Sequence, residues 1–472
     1  MDVLTVLNSI DAFVWGPAMI CLLLGSHIFL TFRTGVIQRK LGTGIKLSVT
    51  KDPQAEGDIS QFQALATALS ATIGTGNIVG VGTAILAGGP GAVLWMWLTG
   101  VFGIATKYSE TFVSVKYRVK DHRGEMLGGA MYAWKRAFKR KDGSTPVWAT
   151  FFAGAFALFA AIASFGIGSA VQSSSMASVI TSNFPDASPT VIGLCIVVLV
   201  SLVIFGGISQ IAKVCQVLVP FMAVAYSAGC IAIICMNAEY VWPAIQLICT
   251  CAFTPQAAFG GAVGSGLMAA LQFGCARGLF SNESGLGSAP IVAAAASTRN
   301  PARQALVSMT GTFWDTVIIC ALTGIVLVST GIASPEMFAN GSITKGAELT
   351  SAAFAQIPLV GTPILVFGMI TFSFSTIIGW SYYGNRCITY LFGTKAIRPY
   401  QVIYVVVAFL GVIGVGDMVW TCSDIANALM AIPNIIVVLA LSGIIAKETK
   451  HYVWQGNLDE TNDDEIPVVA TK

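Results

Sequence analysis

Ten uncharged runs of 18 to 48 residues divide this chain. A membrane-spanning helix needs about 20 apolar residues, so most runs can hold one span and the 48-residue run can hold two. Only 10% of the 472 residues are charged and the mean hydropathy is +0.75, whereas soluble domains carry about 25% charged residues, so we predict an all-α polytopic membrane protein. The runs are residues 12–32, 59–106, 143–185, 187–212, 214–238, 240–276, 316–335, 349–385, 399–416 and 425–446.

The longest run is interrupted by Gly74-Thr75-Gly76-Asn77. Glycine lowers helix propensity by about 1 kcal/mol relative to Ala, and Thr and Asn side chains can hydrogen-bond to the backbone, so the stretch predicts a broken helix. In lipid each freed backbone group must find a partner, and broken spanning helices mark binding sites in secondary transporters. A Gly-rich face packed closely against a neighbouring helix explains the same residues. This stretch alone leaves both interpretations open.

A second interruption lies at residues 278–290, where three Gly, one Pro and the ionisable Glu283 stand inside an apolar helix. It follows the first break by five predicted spans, so the two broken helices cross the membrane in opposite directions. That recurrence is typical of an inverted-topology repeat. Paired breaks favour a transporter over a channel, which has no need of them.

The full prediction has eleven spans: ten in two inverted repeats and one extra helix at residues 12–32. Lys and Arg concentrate in the loops of one side, and the positive-inside rule places that side in the cytoplasm. The N-terminus is then outside and the C-terminus inside. The predicted segments are 1–58 (extra helix and cytoplasmic loop), 59–236 (core helices 1–5), 237–263 (extracellular, interrupted), 264–446 (core helices 6–10) and 447–472 (cytoplasmic tail).

The charged loops predict contact with lipid. Residues 116–141 carry nine Lys or Arg, and we expect a short amphipathic helix there on the membrane surface. A polar loop is expected at 335–360. The net charge of +3 fits cytoplasmic loops facing anionic lipid and does not indicate a nucleic acid partner.

The cysteines and histidines give no support to a metal site. Eleven cysteines without a CxxC pair predict small packing residues, and the three histidines form no HExxH motif. A membrane enzyme would need a nucleophile–base pair or a metal cluster, and neither is visible. We therefore expect no enzyme activity and no cofactor.

Three motifs resemble those of the alanine or glycine:cation symporter family, also called the sodium:alanine symporters. They are Gly88-Gly-Pro-Gly-Ala-Val-Leu-Trp-Met-Trp-Leu-Thr-Gly-Val-Phe-Gly103, Ser70-Ala-Thr-Ile-Gly-Thr-Gly-Asn77 and Arg277-Gly-Leu-Phe-Ser-Asn-Glu-Ser-Gly-Leu-Gly-Ser-Ala-Pro290. The resemblance extends over nearly the whole chain. Leu94 replaces the Phe of the tighter signature, which is a conservative departure. The resemblance implies the amino acid, polyamine and organocation superfamily, the bacterial leucine-transporter fold and Na⁺-coupled uptake of a small neutral amino acid.

An amino acid needs donors for its carboxylate and acceptors for its ammonium. Amides freed around Gly74, Thr75 and Gly76 lie at the N-terminus of the following half-helix, where the helix dipole favours a carboxylate. Thr75 and Asn77 can add side-chain donors, although Asn77 can also be a helix cap. Gln172, in the third core helix, can accept from the ammonium or can make an interhelical hydrogen bond.

The resemblance also implies backbone carbonyl ligands for Na⁺ at Ser70 and Ile73. In the eighth core helix, Phe372, Ser375 and Thr376 lie at i, i+3 and i+4 and therefore share one face. Two hydroxyls and a carbonyl are hard oxygen donors that suit Na⁺, and a Ser/Thr packing face is the alternative.

Two aromatic and two acidic residues complete the predicted site. Phe280 can cap the amino acid side chain, and Trp380, one turn beyond the hydroxyls, can close the pocket so that only small side chains fit. Intramembrane acids are costly and usually functional. Glu283 is therefore a candidate for ion or proton coupling, with pairing to Arg277 as the alternative, and Asp315 is either a coupling group or a buried hydrogen-bond anchor.

Together these patterns predict a Na⁺-coupled symporter for alanine or glycine in the plasma membrane of a prokaryote. The alternatives are H⁺ coupling, another substrate such as glutamine or serine, and, from a different class, an ion channel. The sequence leaves the oligomeric state open, a monomer included.

Overall fold

The computed structural model describes residues 3–50, 55–254, 256–258, 263–336, 343–414, 417–462 and 464–469. These residues are mostly helical. The α-helices are α1 (Val3–Val14), α2 (Pro17–Arg33), α3 (Leu41–Ser48), α4 (Gln61–Thr72), α5 (Val81–Gly88), α6 (Ala92–Lys116), α7 (Ala130–Ala137), α8 (Val147–Phe165), α9 (Val171–Asn183), α10 (Pro189–Ile204), α11 (Gly207–Met236), α12 (Ala238–Cys251), α13 (Leu267–Asn282), α14 (Ala289–Ala293), α15 (Pro301–Thr312), α16 (Ala321–Ala333), α17 (Gly346–Phe354), α18 (Gly361–Phe392), α19 (Ile397–Ile413), α20 (Asp417–Ala440) and α21 (Ser442–Thr449).

Shorter elements join these helices. The π-helical turns are Gly76–Gly80, Gly166–Ala170, Phe313–Cys320 and Lys450–Trp454, and the 3-10 turns are Ile37–Lys40 and Thr394–Ala396. Two antiparallel pairs of short strands connect helices, β1 (Val119–Lys120) with β2 (Met126–Leu127) and β3 (Gln256–Ala258) with β4 (Val263–Ser265).

Seven helical stretches among the described residues are long and apolar enough to cross a membrane, and a bent pair formed by α4 and the helix after it makes an eighth. The protein is therefore a multi-pass membrane protein. Of the other predicted spans, α6 contains charged residues, and α10 and α13 have only 16 residues each. The total of eleven spans stays a prediction.

The first break in the chain has a local cause at each end. Ser60 caps α4 through a capping box with Gln63, which satisfies two backbone groups at the helix start. The helix ends when Ile73 adopts an extended conformation, and the axis then turns by 51° before the helix continues. The chain turns after α5 at Gly89, which has φ of +73°, a conformation that glycine adopts at no steric cost.

The two broken helices lie at the centre of the bundle. α6 packs along α13 and α15, and α18 packs against α4, α8 and α11. Close approach of α6 and α13 depends on Gly278, where a Cβ atom would lie 2.3 Å from Thr99 Oγ1. The core therefore brings α4, α6, α13 and α18 together around both breaks.

Three expectations about the connecting segments need correction or completion. Residues 130–137 form a helix, but its apolar residues, including Trp134, are buried against α8 and the carbonyl of Pro433, so it packs on protein and does not lie on lipid. The predicted polar loop 335–360 contains α17, because its apolar face packs on α5 and α16. Within 237–263, α12 packs on α16, while residues 255 and 259–262 lie outside the described residues.

Candidate functional site

The first break is stabilised by neutral hydrogen bonds. The Oδ1 atom of Asn77 accepts from the backbone N–H of Gly74 at 2.9 Å, so the Asn77 side chain satisfies a backbone donor that the break leaves free. The backbone N–H of Thr75 points at Gln172 Oε1, 3.5 Å away, which is at the outer limit of a hydrogen bond. The structure therefore brings Gly74, Thr75, Asn77 and Gln172 together, with Thr75 at the N-cap position of the half-helix.

Gln172 reaches this position because its helix is locally unwound. The π-helical turn Gly166–Ala170 precedes α9, and π turns inside helices are frequent at functional sites. The Nε2 atom of Gln172 donates to the carbonyl of Ile167 at 3.1 Å. This bond orients the side chain so that its Oε1 atom faces the first break.

Asp315 joins the two broken helices. Its Oδ1 atom accepts from Asn77 Nδ2 at 2.8 Å, and its Oδ2 atom accepts from Ser281 Oγ at 2.9 Å and from Thr316 Oγ1 at 2.6 Å. The carboxyl is fully buried within the π-helical turn after α15. A buried carboxyl with three donors is well compensated, so Asp315 is a hydrogen-bond anchor in this structure.

A second group of oxygen atoms lies between α4 and α18. The carbonyl oxygen of Ser70 accepts from Ser375 Oγ at 3.2 Å and from Thr376 Oγ1 at 3.1 Å. The single hydroxyl proton of Ser375 is shared with the carbonyl of Phe372, whose oxygen lies 2.9 Å from Ser375 Oγ. The predicted Ser70, Phe372, Ser375 and Thr376 are thus assembled, while the carbonyl of Ile73, the residue at which α4 ends, stays a predicted ligand. We call this the Ser70 oxygen cluster.

The cluster adjoins the first break. A Cβ atom at Gly74 would lie 2.6 Å from Thr376 Oγ1 and 3.4 Å from Gln172 Oε1. The absence of a side chain at Gly74 therefore leaves room for both groups. Carbonyl oxygens at unwound helix segments coordinate Na⁺ in secondary transporters, and the added hydroxyls are donors of the same hard type.

The second break is stabilised by buried charge. Glu283 has φ of +54° and Gly285 has φ of +90°, so α13 ends in left-handed backbone. The ammonium of Lys107 donates to the carbonyl of Glu283 at 3.0 Å and lies 3.2 Å from the Glu110 carboxylate. Both side chains are almost completely buried. An ion pair from α6 therefore holds the segment after α13.

Glu110 and Asn434 complete this arrangement. Glu110 Oε2 accepts from the backbone N–H of Gly285 at 3.1 Å and from Asn434 Nδ2 at 2.9 Å, and Asn434 Nδ2 also contacts the carbonyl oxygen of Gly285 at 2.9 Å. The sequence reasoning missed Lys107, Glu110 and Asn434. A charged pair at i and i+3 inside a predicted span was the available signal, because intramembrane charges are usually functional.

Glu283 does not pair with Arg277, so that alternative was wrong. Six residues on one helix correspond to about 240° of rotation at 3.6 residues per turn, which places the two side chains on different faces. The Glu283 carboxylate instead accepts from the Ser288 hydroxyl. Lys107 supplies the nearby positive charge.

The two aromatic residues occupy different places. A Cβ atom at Gly76 would lie 3.3 Å from Phe280 Cδ1, so Phe280 covers the first break. Trp380 packs against Gly168, where a Cβ atom would lie 2.4 Å from Trp380 Cβ, and its side chain lies beside the Glu283 carboxylate. Trp380 therefore belongs to the wall near the second break.

No cluster of three or more His, Cys, Asp or Glu side chains that could hold a metal ion is found among the residues the structure describes. All eleven cysteines are free thiols. The candidate ligands of a cation are thus the neutral oxygens and the buried carboxyls described above.

Comparisons with known proteins agree on one family. The family model described as the Sodium:alanine symporter family matches residues 1–466. A protein named sodium/alanine symporter AgcS, from Methanococcus maripaludis, is 47% identical over 455 residues, which are 96% of this chain and 98% of that protein. A probable sodium/glutamine symporter, GlnT, from Bacillus subtilis, is 32% identical over 450 residues, covering 94% and 89%.

A solved structure supports the fold. MhsT in complex with L-phenylalanine, which has the leucine-transporter fold, superposes with a TM-score of 0.56 over 84% of this chain and 94% of that chain, at 14% identity. At this identity the likeness concerns the fold alone. The expectation of a leucine-transporter-like fold is confirmed.

Proposed function

The chain belongs to the sodium:alanine symporter family, and on that premise we propose that it couples Na⁺ entry to uptake of a small neutral amino acid, alanine or glycine. The observation that carries this proposal is the Ser70 oxygen cluster beside the first break. It offers one carbonyl and two hydroxyl oxygens from two different helices. A Na⁺ ion bound there would hold α4 and α18 together and would adjoin the amino acid.

The amino acid would occupy the space between the two breaks. The amides of Gly74, Thr75 and Gly76 start a half-helix whose dipole favours a carboxylate. The 3.5 Å contact between Thr75 N and Gln172 Oε1 is weak, so a carboxylate could take over the amide while Gln172 turns to the ammonium. Phe280 would cover the bound molecule, and Trp380 would limit the size of its side chain.

The buried acids support ion coupling in different ways. Asp315 already holds three donors, so its proposed part is to keep both broken helices in register. Glu283 has one hydroxyl partner and a neighbouring lysine. Its carboxylate is the group through which H⁺ coupling, the alternative to Na⁺, would act.

We further propose the topology predicted from the charge pattern, with residues 59–236 and 264–446 as inverted repeats. The N-terminus would lie outside and the C-terminus in the cytoplasm of a prokaryotic cell. The basic ends of α6 and α15 support this orientation, because Lys116 and Arg303 lie with the acidic residues of the tail on one side of the bundle.

Uptake into proteoliposomes tests the function directly. Purified protein would be given labelled alanine, glycine, serine and glutamine under an imposed Na⁺ or H⁺ gradient. We expect Na⁺-driven accumulation of alanine and glycine, and counterflow exchange of alanine, which a channel cannot perform. Accumulation driven only by H⁺, or of glutamine alone, would replace the present assignment with one of its alternatives. If the protein showed neither accumulation nor counterflow, the proposal that it transports these amino acids would be wrong.

A further inference from the structure

A cavity of about 210 Å³ lies between α1, α13 and α20. Its wall includes Asp11 of α1, Arg277 and Phe280 of α13, and Asp424 of α20. Phe280 is three residues from Arg277, nearly one helical turn closer to the second break. Because Phe280 also covers Gly76 of the first break, the cavity adjoins the proposed substrate site, on the side of α1 that the proposed topology places outside.

The charged groups of this cavity are not paired with one another. Asp424 is 7% exposed, and the Oδ1 atoms of Asp424 and Asp11 are buried without a hydrogen-bond partner among the described residues. Arg277 makes no ion pair within 4 Å in the described part of the chain, and its guanidinium lies 5.8 Å from the centre of the Phe280 ring. Unpaired buried polar atoms are costly, so these groups are complementary to a ligand that carries both charges.

We propose that this cavity is an outer subsite for an amino acid zwitterion. The Arg277 guanidinium binds the carboxylate through its planar fork of donors, and the Asp424 and Asp11 carboxylates bind the ammonium. The molecule then passes Phe280 to reach the first break. This inference rests on the proposed function, because it concerns the same substrate on its way to the central site.

The arrangement selects for zwitterions. A cavity lined by charges of one sign would attract ions of the opposite charge. Arg277 and Asp424, which line the same cavity from two helices, are both satisfied only by a molecule that carries a carboxylate and an ammonium. An amine without a carboxylate leaves Arg277 unpaired, and a carboxylate without an amine leaves Asp424 unpaired. The wall is partly aromatic, with Trp15 and Phe280, so it has apolar surface for a small side chain.

Equilibrium binding of labelled L-alanine to purified full-length protein separates the two sites. Gly76→Val removes the central site, and we expect that variant to keep weak, saturable alanine binding. Adding Arg277→Gln or Asp424→Asn should lower this residual affinity at least about tenfold, because each removes one charge-assisted contact. Arg398→Gln, a change in α19, is the matched control and should leave the residual binding intact. Neither alaninamide nor propionate should compete.

The outcomes distinguish the subsite from the proposed function. Na⁺-dependent binding to the wild-type protein reports on the function, and its absence contradicts both proposals. If wild-type binding is present, no residual binding in folded Gly76→Val protein, or residual binding that survives Arg277→Gln, overturns the subsite alone.

A rate measurement covers the case in which a double variant does not fold. In Arg277→Gln protein the association and dissociation rates of alanine should both fall at least about fivefold, because the subsite lies on the path in both directions, while the affinity of the central site stays within a factor of two. An unchanged association rate, or unchanged binding rates with lost transport, would show that Arg277 is a gate or a structural residue, and would overturn the subsite.

Discussion

Both helix breaks free backbone N–H and C=O groups that need hydrogen-bond partners, and the partners differ between the two breaks. At the first, the freed backbone groups meet neutral side chains, the amides of Asn77 and Gln172. At the second, they meet the buried ion pair of Lys107 and Glu110. Removing a neutral hydrogen-bond partner from a buried group costs about 1–3 kcal/mol, whereas removing one partner of a buried ion pair costs about 3–5 kcal/mol. The first break is therefore the easier one to rearrange.

This difference indicates a division of labour. A segment that must accept and release a ligand in every cycle cannot be held too strongly, and weak contacts such as the 3.5 Å approach of Thr75 to Gln172 suit it. A segment that keeps its conformation through the cycle is better stabilised by a buried ion pair such as that of Lys107 and Glu110. We infer that the first break adapts to the ligand and that the second is the scaffold against which it moves.

The largest expected effect is at the buried ion pair of Lys107 and Glu110. Lys107→Met leaves Glu110 buried without its counter-charge, so the unfolding free energy should fall by about 3–5 kcal/mol. Lys116→Met is the matched control on the same helix, since its ion pair with Glu448 is partly exposed and should contribute about 1 kcal/mol or less. Thermal unfolding of the purified proteins in detergent measures both. If Lys107→Met and wild type unfolded at the same temperature, the ion pair of Lys107 and Glu110 would not stabilise the protein as proposed.

The next effect is at the first break. Gly76→Val should lower alanine affinity at the central site by at least about a hundredfold, about 2.7 kcal/mol. A Cβ atom already approaches Phe280 Cδ1 to 3.3 Å, and a β-branched side chain adds bulk and restricts the backbone. Gly76→Ala should be milder. Equilibrium binding with a size-exclusion check of folding tests this, and equal affinity of Gly76→Val and wild type would contradict the assignment.

Two asparagines allow a matched comparison of the breaks. Asn77→Ala should weaken alanine binding by about 1–3 kcal/mol, the cost of leaving buried partners unsatisfied. Asn434→Ala removes a similar amide from the Glu110 carboxylate and Gly285, and it should act mainly on the thermal unfolding midpoint. Measuring both alanine binding and thermal unfolding for each variant shows whether its main effect is on affinity or on stability. If Asn434→Ala weakened binding as much as Asn77→Ala, the proposed division of labour would be wrong.

Local signals explain what the sequence could predict. Uncharged length predicted a span within the run 143–185, found as α8 to α9 and ending at Asn183, and another within the run 349–385, where the structure has Gly361–Phe392. Gly predicted both breaks, together with Thr and Asn at the first and Pro at the second, because the backbone preferences of these residues act within a few positions. The hydroxyls of Ser375 and Thr376 were found by helical periodicity, which places them on one face.

Contacts between distant segments could not be predicted in this way. Lys107 reaches Glu283 across 176 residues, and helical periodicity alone carries no information about such a partner. The same limit explains why Glu283 was considered beside Arg277, its nearest charge in sequence. It also explains the helix of residues 130–137, whose apolar face fits lipid and protein equally well and meets protein because Pro433 and α8 lie there.

The smallest expected effect concerns the ion and extends the comparison to α18. Ser375→Ala with Thr376→Ala removes two oxygens that face the carbonyl of Ser70. Each neutral contact is worth about 1 kcal/mol, or about fivefold in affinity, so the Na⁺ concentration for half-maximal alanine uptake should rise about five- to twentyfold. Either single variant should give the smaller part of this rise. The maximal rate should change little, because the ion site would still fill at high Na⁺.

Ser373→Ala is the control for that measurement. Ser373 is fully buried on the same helix, but its hydroxyl makes no hydrogen bond among the described residues, and two residues of separation turn it by about 200° away from Ser375. Its loss should leave the Na⁺ dependence unchanged. If the double variant and Ser373→Ala shifted the Na⁺ curve equally, α18 would contribute packing and no ligand, and the adaptable first break would have to bind Na⁺ through its own carbonyls.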